Sequence, residues 1–193
     1  MEAIKVLLDN DTANRIAELD EEIACKAGKF DTSESKYIED RDYLGKITVC
    51  LEKKGLVRLY YNPWGEREGC NTKQEWKRQA ILREYQKRRF ASFHSATFPI
   101  LMSNDNPATF VKDEQDSVLD EIFSELPKKY HHDLKALAEA LLNPINFEYL
   151  LTCNRKHLAA DELRNKLKEK GLKLKICTPK ELYEEVSNKL SLR

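Results

Sequence analysis

The chain has 193 residues, 41% of them hydrophobic and 34% charged, which suits one domain with a substantial core. Lys+Arg and Asp+Glu balance at 33 each, so the overall charge excludes a bulk attraction to nucleic acid or to a membrane surface. The opening MEAIKVLLDND turns acidic before a signal-peptide core develops, and no apolar run reaches the ~20 residues that span a bilayer. We therefore expect a cytoplasmic protein without a membrane segment.

The first 90 residues alternate apolar strands with helices. AIKVLL (3–8) is a nearly continuous apolar run, typical of a strand buried on both faces, and helical spacing of apolar residues follows over 13–27. Another helix, ended by a glycine, is predicted within 42–55, and LVRLYYN (56–62) is rich in β-forming residues. A helix over about 72–90 comes next. This part therefore predicts two strands, each connected to helices.

The rest of the chain continues the alternation. A helix over about 113–126 is strongly acidic, and a cleaner helix over 132–143 leads into the strand FEYLLT (147–152). A helix over about 159–170 follows and ends at a glycine. The segment LKLKIC (172–177) then alternates apolar and polar residues as a half-buried strand does.

The final helix opens with a capping box formed by Thr178 and Glu181, with a proline at its first position. Strands that alternate with helices predict βαβ units, hence an α/β fold with a mostly parallel central sheet and helices on both faces. We expect one domain over 1–193, with a helical insertion over 69–130. In such sheets the functional crevice lies outside the carboxyl ends of the strands.

Acidic and amide residues follow the predicted strand ends. Asp9 follows the first strand, and Glu66 and Glu68 follow the second. Asp133 opens the helix that leads to the third strand, which ends in Thr152-Cys153-Asn154. Because the ends of parallel strands meet at one edge, we expect these side chains to converge there. Carboxylate and amide oxygens suit Mg²⁺ or Mn²⁺, so the pattern predicts a metal site.

Each of these acidic residues also has an ordinary structural explanation. Asp9 or Asp11 could cap the first helix, and Asp133 could cap its own helix. Glu66 and Glu68 stand in a predicted loop, where acidic residues are common. Their joint placement favours the metal site, because clustered carboxylates repel one another without a cation.

Cysteine and histidine residues give weaker candidates for a metal site. The five cysteines are scattered without a CxxC pair, which is typical of reduced thiols. Cys70, Cys153 and His157 lack the spacing of a zinc site. His131 and His132 are adjacent in a helix and point about 100° apart, so they are poorly placed to share one ion.

Several of these segments together resemble the PIN-domain family. IKVLLDND followed by a helix is similar to the opening of PIN domains, and GLVRLYYNPWGERE stands where they have a second strand and a glutamate. HDLKALAEALLNPINFEYLLTCNRKHL resembles their later signature, and LKLKICTPKELYEEV resembles their closing strand and helix. The resemblance is strongest over 130–187 and weaker over 1–17 and 55–68.

The resemblance implies a three-layer α/β/α fold and endoribonuclease chemistry that depends on Mg²⁺ or Mn²⁺. Asp9 matches the first acid of the family and Asp133 the third. Glu68 is the better match for the second acid, with Glu66 as its rival. These positions are therefore expected to be both metal-binding and catalytic.

Asn154 stands at the fourth acidic position of the family, where an aspartate is commonest. An amide keeps one oxygen donor but removes a negative charge, so we expect weaker metal binding than a fourth carboxylate would give. Thr152 would orient a ligand or a metal-bound water. The sequence leaves open whether catalysis survives this exchange.

A basic segment predicts a contact with RNA. KQEWKRQAILREYQKRRF holds seven Lys/Arg against two Glu, with aromatic residues interleaved. The positions expected to bind RNA are Lys77, Arg78, Lys87, Arg88, Arg89, Arg155 and Lys156. Alternatively, these charges form a solvated face over a buried apolar stripe, or the acidic helix over 113–126 neutralises them.

Three functions are consistent with these patterns. The first is a small PIN-type ribonuclease that cleaves RNA. As a stand-alone domain it resembles the toxin of a toxin–antitoxin pair, so an antitoxin protein is an expected partner, and a homodimer is a further expectation. The second is a PIN-fold module that has lost catalysis through Asn154 and binds RNA or a protein partner. The third is a phosphatase or receiver-like protein with Asp9 as phosphoryl acceptor, for which no convincing lysine partner follows a later strand.

Overall fold

A computed structural model describes residues 2–25, 38–62, 73, 75–87, 131–142 and 145–191. Its elements are β1 (Ile4–Leu8), α1 (Asn10–Cys25), α2 (Ile38–Lys46), a π-helix (Ile47–Glu52), β2 (Val57–Tyr61), α3 (Glu75–Lys87), α4 (His131–Leu142), β3 (Tyr149–Leu151), α5 (Asp161–Glu169), β4 (Lys175–Cys177) and α6 (Pro179–Ser191). The predicted acidic helix over 113–126 lies outside the described residues, as do Glu66, Glu68, Cys70, Arg88 and Arg89.

The strands of the described chain form one four-stranded sheet in the order β2-β1-β3-β4, and all neighbouring pairs are parallel. The register pairs Leu8 with Tyr61 on one side and with Leu151 on the other. Leu151 in turn pairs with Cys177. All four strands therefore end level with one another at one edge of the sheet, which we call the carboxyl edge.

Alternation along the strands divides the core between two faces of the sheet. Val6 and Leu8 point into a core built with α1, α2, the π-helix, α3 and α6. Leu7, which lies between them, points into a second core built with α4 and α5. All three side chains are fully buried. The predicted three-layer α/β/α architecture with a parallel sheet is confirmed.

The predicted helix ends follow from local backbone chemistry. Gly55 and Gly171 each have a φ of 71°, the left-handed conformation that terminates a helix and that glycine adopts without a steric cost. At the start of α6, Thr178 N–H donates to the Glu181 carboxylate at 2.8 Å, and Glu181 N–H donates back to the Thr178 hydroxyl at 3.4 Å. The predicted capping box is therefore present.

Two elements differ in extent from their predictions. The six-residue strand predicted over 172–177 is only three residues long, because β3 starts at Tyr149 and pairs first with Lys175. Asp133 is the third residue of α4 rather than the residue before it. It therefore lies in the first turn and is not the cap of that helix.

No helix in the described part of the chain is long and apolar enough to cross a membrane.

Candidate functional site

The candidate site lies at the carboxyl edge, where β1 and β3 are neighbours. Asp9 follows directly after β1 and Thr152 directly after β3, and both side chains are buried. Asp9 N–H donates to the carbonyl of Leu151 at 3.1 Å, which continues the ladder by one step beyond the strands. This continuation holds the Asp9 carboxylate against the Thr152 hydroxyl.

The Asp9 carboxylate accepts hydrogen bonds from both sides of the crevice. Oδ1 accepts from the N–H of Thr12 at 2.8 Å, and Oδ2 accepts from the hydroxyl of Thr152. The first bond makes Asp9 the N-cap of α1, as the structural explanation predicted. The hydroxyl of Thr12 in turn accepts from Cys153 N–H at 2.9 Å. One network thus joins the start of α1 to the end of β3.

Burial dominates the ionisation of Asp9, which is 5% exposed. Loss of solvation raises the pKa of its carboxyl from 3.8 to about 6, although the hydrogen bonds from Thr12 and Thr152 oppose the shift. The charge of Asp11 adds a smaller upward contribution to this pKa. A cation beside Asp9 would favour the charged form and reverse the effect of burial.

Asn154 is held close to Asp9 but is engaged in a local turn. Its backbone N–H donates to the Thr152 hydroxyl at 3.0 Å, so one hydroxyl bridges Asn154 and the Asp9 carboxylate. The side-chain Oδ1 accepts from His157 N–H at 3.2 Å, and Nδ2 lies 3.3 Å from Nδ1 of the same histidine. The amide oxygen predicted to bind a metal therefore also shapes the turn after β3.

A buried carboxylate that the sequence reasoning missed lies on the other side of this turn. Asp40, in the first turn of α2, is 1% exposed. Its Oδ1 accepts from Nη2 of Arg155 at 2.7 Å. Arg155 also reaches Glu39 at 3.3 Å, and Glu39 accepts from Lys180 at 3.1 Å. The predicted RNA-binding residue Arg155 is thus tied to the acids of α2.

A signal for Asp40 was present in the sequence. It stands four residues before Leu44, on the same helical face as Leu44, Ile47 and Leu51, which are all buried. A carboxylate within the apolar stripe of an amphipathic helix must be paired or functional, because burying an unpaired charge is costly.

Three carboxylates lie close enough to Cys153 to affect the pKa of its thiol. Burial is the main cause that raises the pKa of its thiol, and the charges of Asp9, Asp40 and Asp11 raise it further. The three carboxylates thus act on the same point of the carboxyl edge, although Asp11 itself is exposed and paired with Arg15 at 3.2 Å.

The backbone position of Asp133 follows from how α4 connects to β3. Ala140 and Leu141, near the end of α4, border the same cavity as Phe147, which precedes β3. The end of α4 therefore lies at the amino ends of the strands, and its first turn points toward the carboxyl edge. Asp133 belongs to that first turn, but its side chain is outside the described part of the structure.

The predicted four-residue metal site is only partly covered by the described residues. Asp9 and Asn154 are brought together through Thr152. Glu66 and Glu68 lie outside the described ranges, and the side chain of Asp133 does so too. Within those ranges, no three His, Cys, Asp or Glu side chains are grouped closely enough to hold a metal ion.

The basic residues of α3 are largely neutralised where their side chains are described. Lys77 forms an ion pair with Glu18 of α1, and Arg78 pairs with Glu75 within α3. Lys87 is the last residue of the helix, and its side chain is not described. Lys156, beside Arg155, is exposed.

Comparisons of the chain with protein-family models, with curated proteins and with solved structures found no match.

Proposed function

We propose that this protein is a metal-dependent endoribonuclease of the PIN type that hydrolyses RNA phosphodiester bonds. The observation that carries the proposal is the position of Asp9, a buried carboxylate at the carboxyl end of a central parallel strand. Thr152, at the end of the neighbouring strand, holds it by a hydrogen bond. This is the place where open α/β sheets bind their ligands.

The chemistry of Asp9 fits a hard divalent cation. A carboxylate offers about four lone-pair positions, so its bonds to Thr12 and Thr152 leave acceptor capacity on both oxygens. Its raised pKa of about 6 marks a charge that lacks solvation and that a cation would stabilise. Asp9 is thus one ligand, and the resemblance adds Glu68, Asp133 and Asn154 as the others.

Some residues of the proposed site would bind the metal ion, and others orient the carboxylates. Bound Mg²⁺ or Mn²⁺ supplies an activated water and offsets negative charge on the reacting phosphate. Asp9 would hold the ion, and Thr152 orients Asp9 while fixing Asn154 N–H through the same hydroxyl. Asp40 would add negative charge close by, with Arg155 setting its orientation. Lys156 is exposed beside this site and is proposed to bind an RNA phosphate.

The proposal is tested by cleavage of a fluorescently labelled single-stranded RNA in Mn²⁺. Asp9→Ala and Asp133→Ala should each lower the rate by roughly 100-fold or more, since a missing ligand removes the ion that stabilises the transition state. Asp42→Ala, an exposed change on α2, is the matched control and should leave the rate unchanged. Cleavage that persists in EDTA, or in Asp9→Ala, would contradict the proposal.

Metal binding is measured separately from cleavage by thermal unfolding. Mn²⁺ should raise the midpoint of the wild type and of Asp42→Ala, because an ion that binds only the folded state stabilises it. The same addition should leave Asp9→Ala unshifted. Circular dichroism of each variant without metal confirms that the fold is retained.

A second candidate function is supported by the turn that Asn154 forms with His157. If the amide serves that turn alone, the protein is a PIN-fold module that binds RNA or a protein partner without cleaving it. Asn154→Asp separates the two functions. A gain in Mn²⁺-dependent cleavage would assign Asn154 to a weakened metal site, whereas RNA binding that is insensitive to chelator and to this substitution would favour the binding module.

A further inference from the structure

The outer edge of β4 pairs with no other strand in the described part of the chain. Lys175 N–H donates to the carbonyl of Glu148 at 3.0 Å, and the carbonyl of Cys177 accepts from Thr152 N–H at 3.0 Å. Because successive residues of a strand direct their backbone groups to opposite sides, the N–H and C=O of Ile176 point away from β3. β4 is the last strand of the described sheet, so these groups face outward.

The segment before β4 has the pattern of a strand but pairs with no strand in the described part of the chain, and the N–H of Leu172 donates instead to the carbonyl of Leu167 at the end of α5, at 3.0 Å. Leu172, Lys173 and Leu174 continue the alternation of β4, yet β3 pairs only with Lys175 to Cys177. Half of the strand predicted from LKLKIC is therefore unpaired in the described structure. A second strand laid along the outer edge would supply backbone partners for the outward N–H and C=O of Ile176.

A groove runs along this edge between helices that pack on opposite faces of the sheet. Its volume is about 490 Å³, and its apolar lining consists of the half-buried Leu172 and the edges of Leu167 of α5, Leu174 and Ile176, which are otherwise buried in the core. A cavity of about 720 Å³ adjoins it at the amino end and shares the residues 172–175. The groove thus lies where an extended peptide could pair with the outward backbone groups of Ile176.

The unpaired charges of the groove are positive. Its two acids are already neutralised, since Glu181 receives two bonds from Arg164 at 2.9 and 2.7 Å and Glu185 is bonded to Lys175 and Lys189. The remaining charged side chains are those of Lys168 and Lys173, both exposed and without an ion pair in the described part of the chain.

We propose that the outer edge of β4 binds an extended segment of a protein partner whose side chains alternate between acidic and apolar. The outward N–H and C=O groups of Ile176 would pair with the backbone of the bound strand. The leucine and isoleucine side chains would contact its apolar residues, and Lys168 and Lys173 would form ion pairs with its acidic residues. RNA would use the lysines but neither the carbonyl nor the apolar surface. A second copy of this chain would place its own lysines against these, which like-charge repulsion disfavours.

The probe is a fluorescein-labelled octapeptide of alternating glutamate and valine, titrated with the full chain by fluorescence anisotropy. Saturable binding is expected, and the Lys168→Glu/Lys173→Glu double variant should weaken it by roughly fivefold or more because both charge pairs reverse sign. Lys53→Glu/Lys54→Glu makes the same double reversal on an exposed turn before β2, the opposite edge strand of the described sheet, and should leave binding unchanged.

The backbone part of the proposal is tested with the same peptide N-methylated at alternate residues. Methylation on the side that faces β4 should abolish binding, whereas methylation on the other side should not. Bound peptide should also slow hydrogen exchange of the Ile176 amide. Absence of saturable binding, or binding that charge reversal and both methylated peptides leave intact, would overturn the proposal.

Sedimentation velocity and competition with RNA test two other occupants of this edge, a second copy of the chain and nucleic acid. A chain that sediments as a dimer without peptide, and as a monomer with it, would assign the edge to a second copy and overturn the partner proposal. Displacement of the peptide by an eight-nucleotide RNA would overturn it in favour of nucleic acid. A chain that stays monomeric and keeps the peptide bound in the presence of that RNA supports the partner proposal.

Discussion

Asp9 has two roles at the scale of a single residue, and the structure makes them compatible. It caps α1 through Thr12 N–H and also faces Thr152 at the end of β3. An ordinary N-cap is solvent-exposed and keeps a pKa near its usual value, whereas Asp9 is buried and its pKa is raised to about 6. The capping role therefore accounts for the hydrogen bond, but it does not account for the burial.

We expect Asp9→Asn to stabilise the metal-free protein at neutral pH. The pKa of folded Asp9 lies above its ordinary value of 3.8, so its stabilising contribution is complete below that value and is lost as the pH rises through about 6. The gap between the two pKa values corresponds to roughly 3 kcal/mol. In EDTA, urea unfolding should show similar stability for both proteins near pH 4 and a more stable variant near pH 7.

Asp11→Asn is the control, because it makes the same exchange on an exposed carboxylate two residues away. It should not reproduce the pH-dependent difference. Mn²⁺ should reduce or reverse the advantage of Asp9→Asn at pH 7, since the proposed ion binds the charged form. Parallel stability profiles of the wild type and Asp9→Asn between pH 4 and pH 7 would show that burial does not raise the pKa of Asp9.

At the scale of an element, α3 is a charged helix whose apolar side packs in the core. Ala80, Ile81 and Tyr85 are buried, and the Tyr85 ring stacks on Tyr61 of β2 with centroids 4.3 Å apart. The alternative interpretation of the basic segment, a solvated face over a buried apolar stripe, therefore describes the apolar side of α3. Lys77 adds an ion pair with α1. The helix is a structural part of the core, whatever else its charges contact.

Tyr85→Ala should destabilise the protein by about 3–5 kcal/mol, because it removes a fully buried aromatic ring and leaves a cavity beside Tyr61. Arg78→Gln, on the exposed side of the same helix, should change stability by less than about 1 kcal/mol, as exposed ion pairs contribute little. Denaturant unfolding at one pH measures both. Equal effects of the two substitutions would contradict the packed orientation of α3.

At the scale of the whole molecule, the balanced charge leaves the proposed RNA binding to local groups. The chain has zero formal charge, and several of its predicted RNA contacts are paired within the fold. Lys77 pairs with Glu18, Arg78 with Glu75, and Arg155 with Asp40. Pairing lowers the number of phosphates that such residues neutralise, so we expect RNA affinity to depend on the remaining exposed cations.

Lys156→Gln should therefore weaken RNA binding more than Lys77→Gln does. Lys156 is exposed beside Asn154, so its loss should remove about one phosphate contact and flatten the salt dependence of log Kd by nearly 1. Lys77→Gln should leave that slope nearly unchanged because Lys77 already pairs with Glu18. Anisotropy titrations in EDTA at several salt concentrations measure both slopes, and a larger change for Lys77→Gln would contradict this assignment.

The sequence by itself determined the layered architecture and the direction of the strands. The apolar runs of β1 to β3 and the helices between them required a parallel sheet covered on both faces, and Gly55, Gly171 and Thr178 marked helix boundaries by local backbone chemistry. The same rules located Asp9 and Thr152 at one edge. These features depend on residues close together in the chain.

Only the tertiary structure decided which side chains share a site. The Thr152 bond to Asp9 spans 143 residues, and the Arg155 bond to Asp40 spans 115, so no local pattern contains them. How much of LKLKIC pairs with β3 likewise depends on where β3 begins. Strand order and register set such contacts, because they decide which distant backbone positions become neighbours, and periodicity along one segment carries no information about its partner.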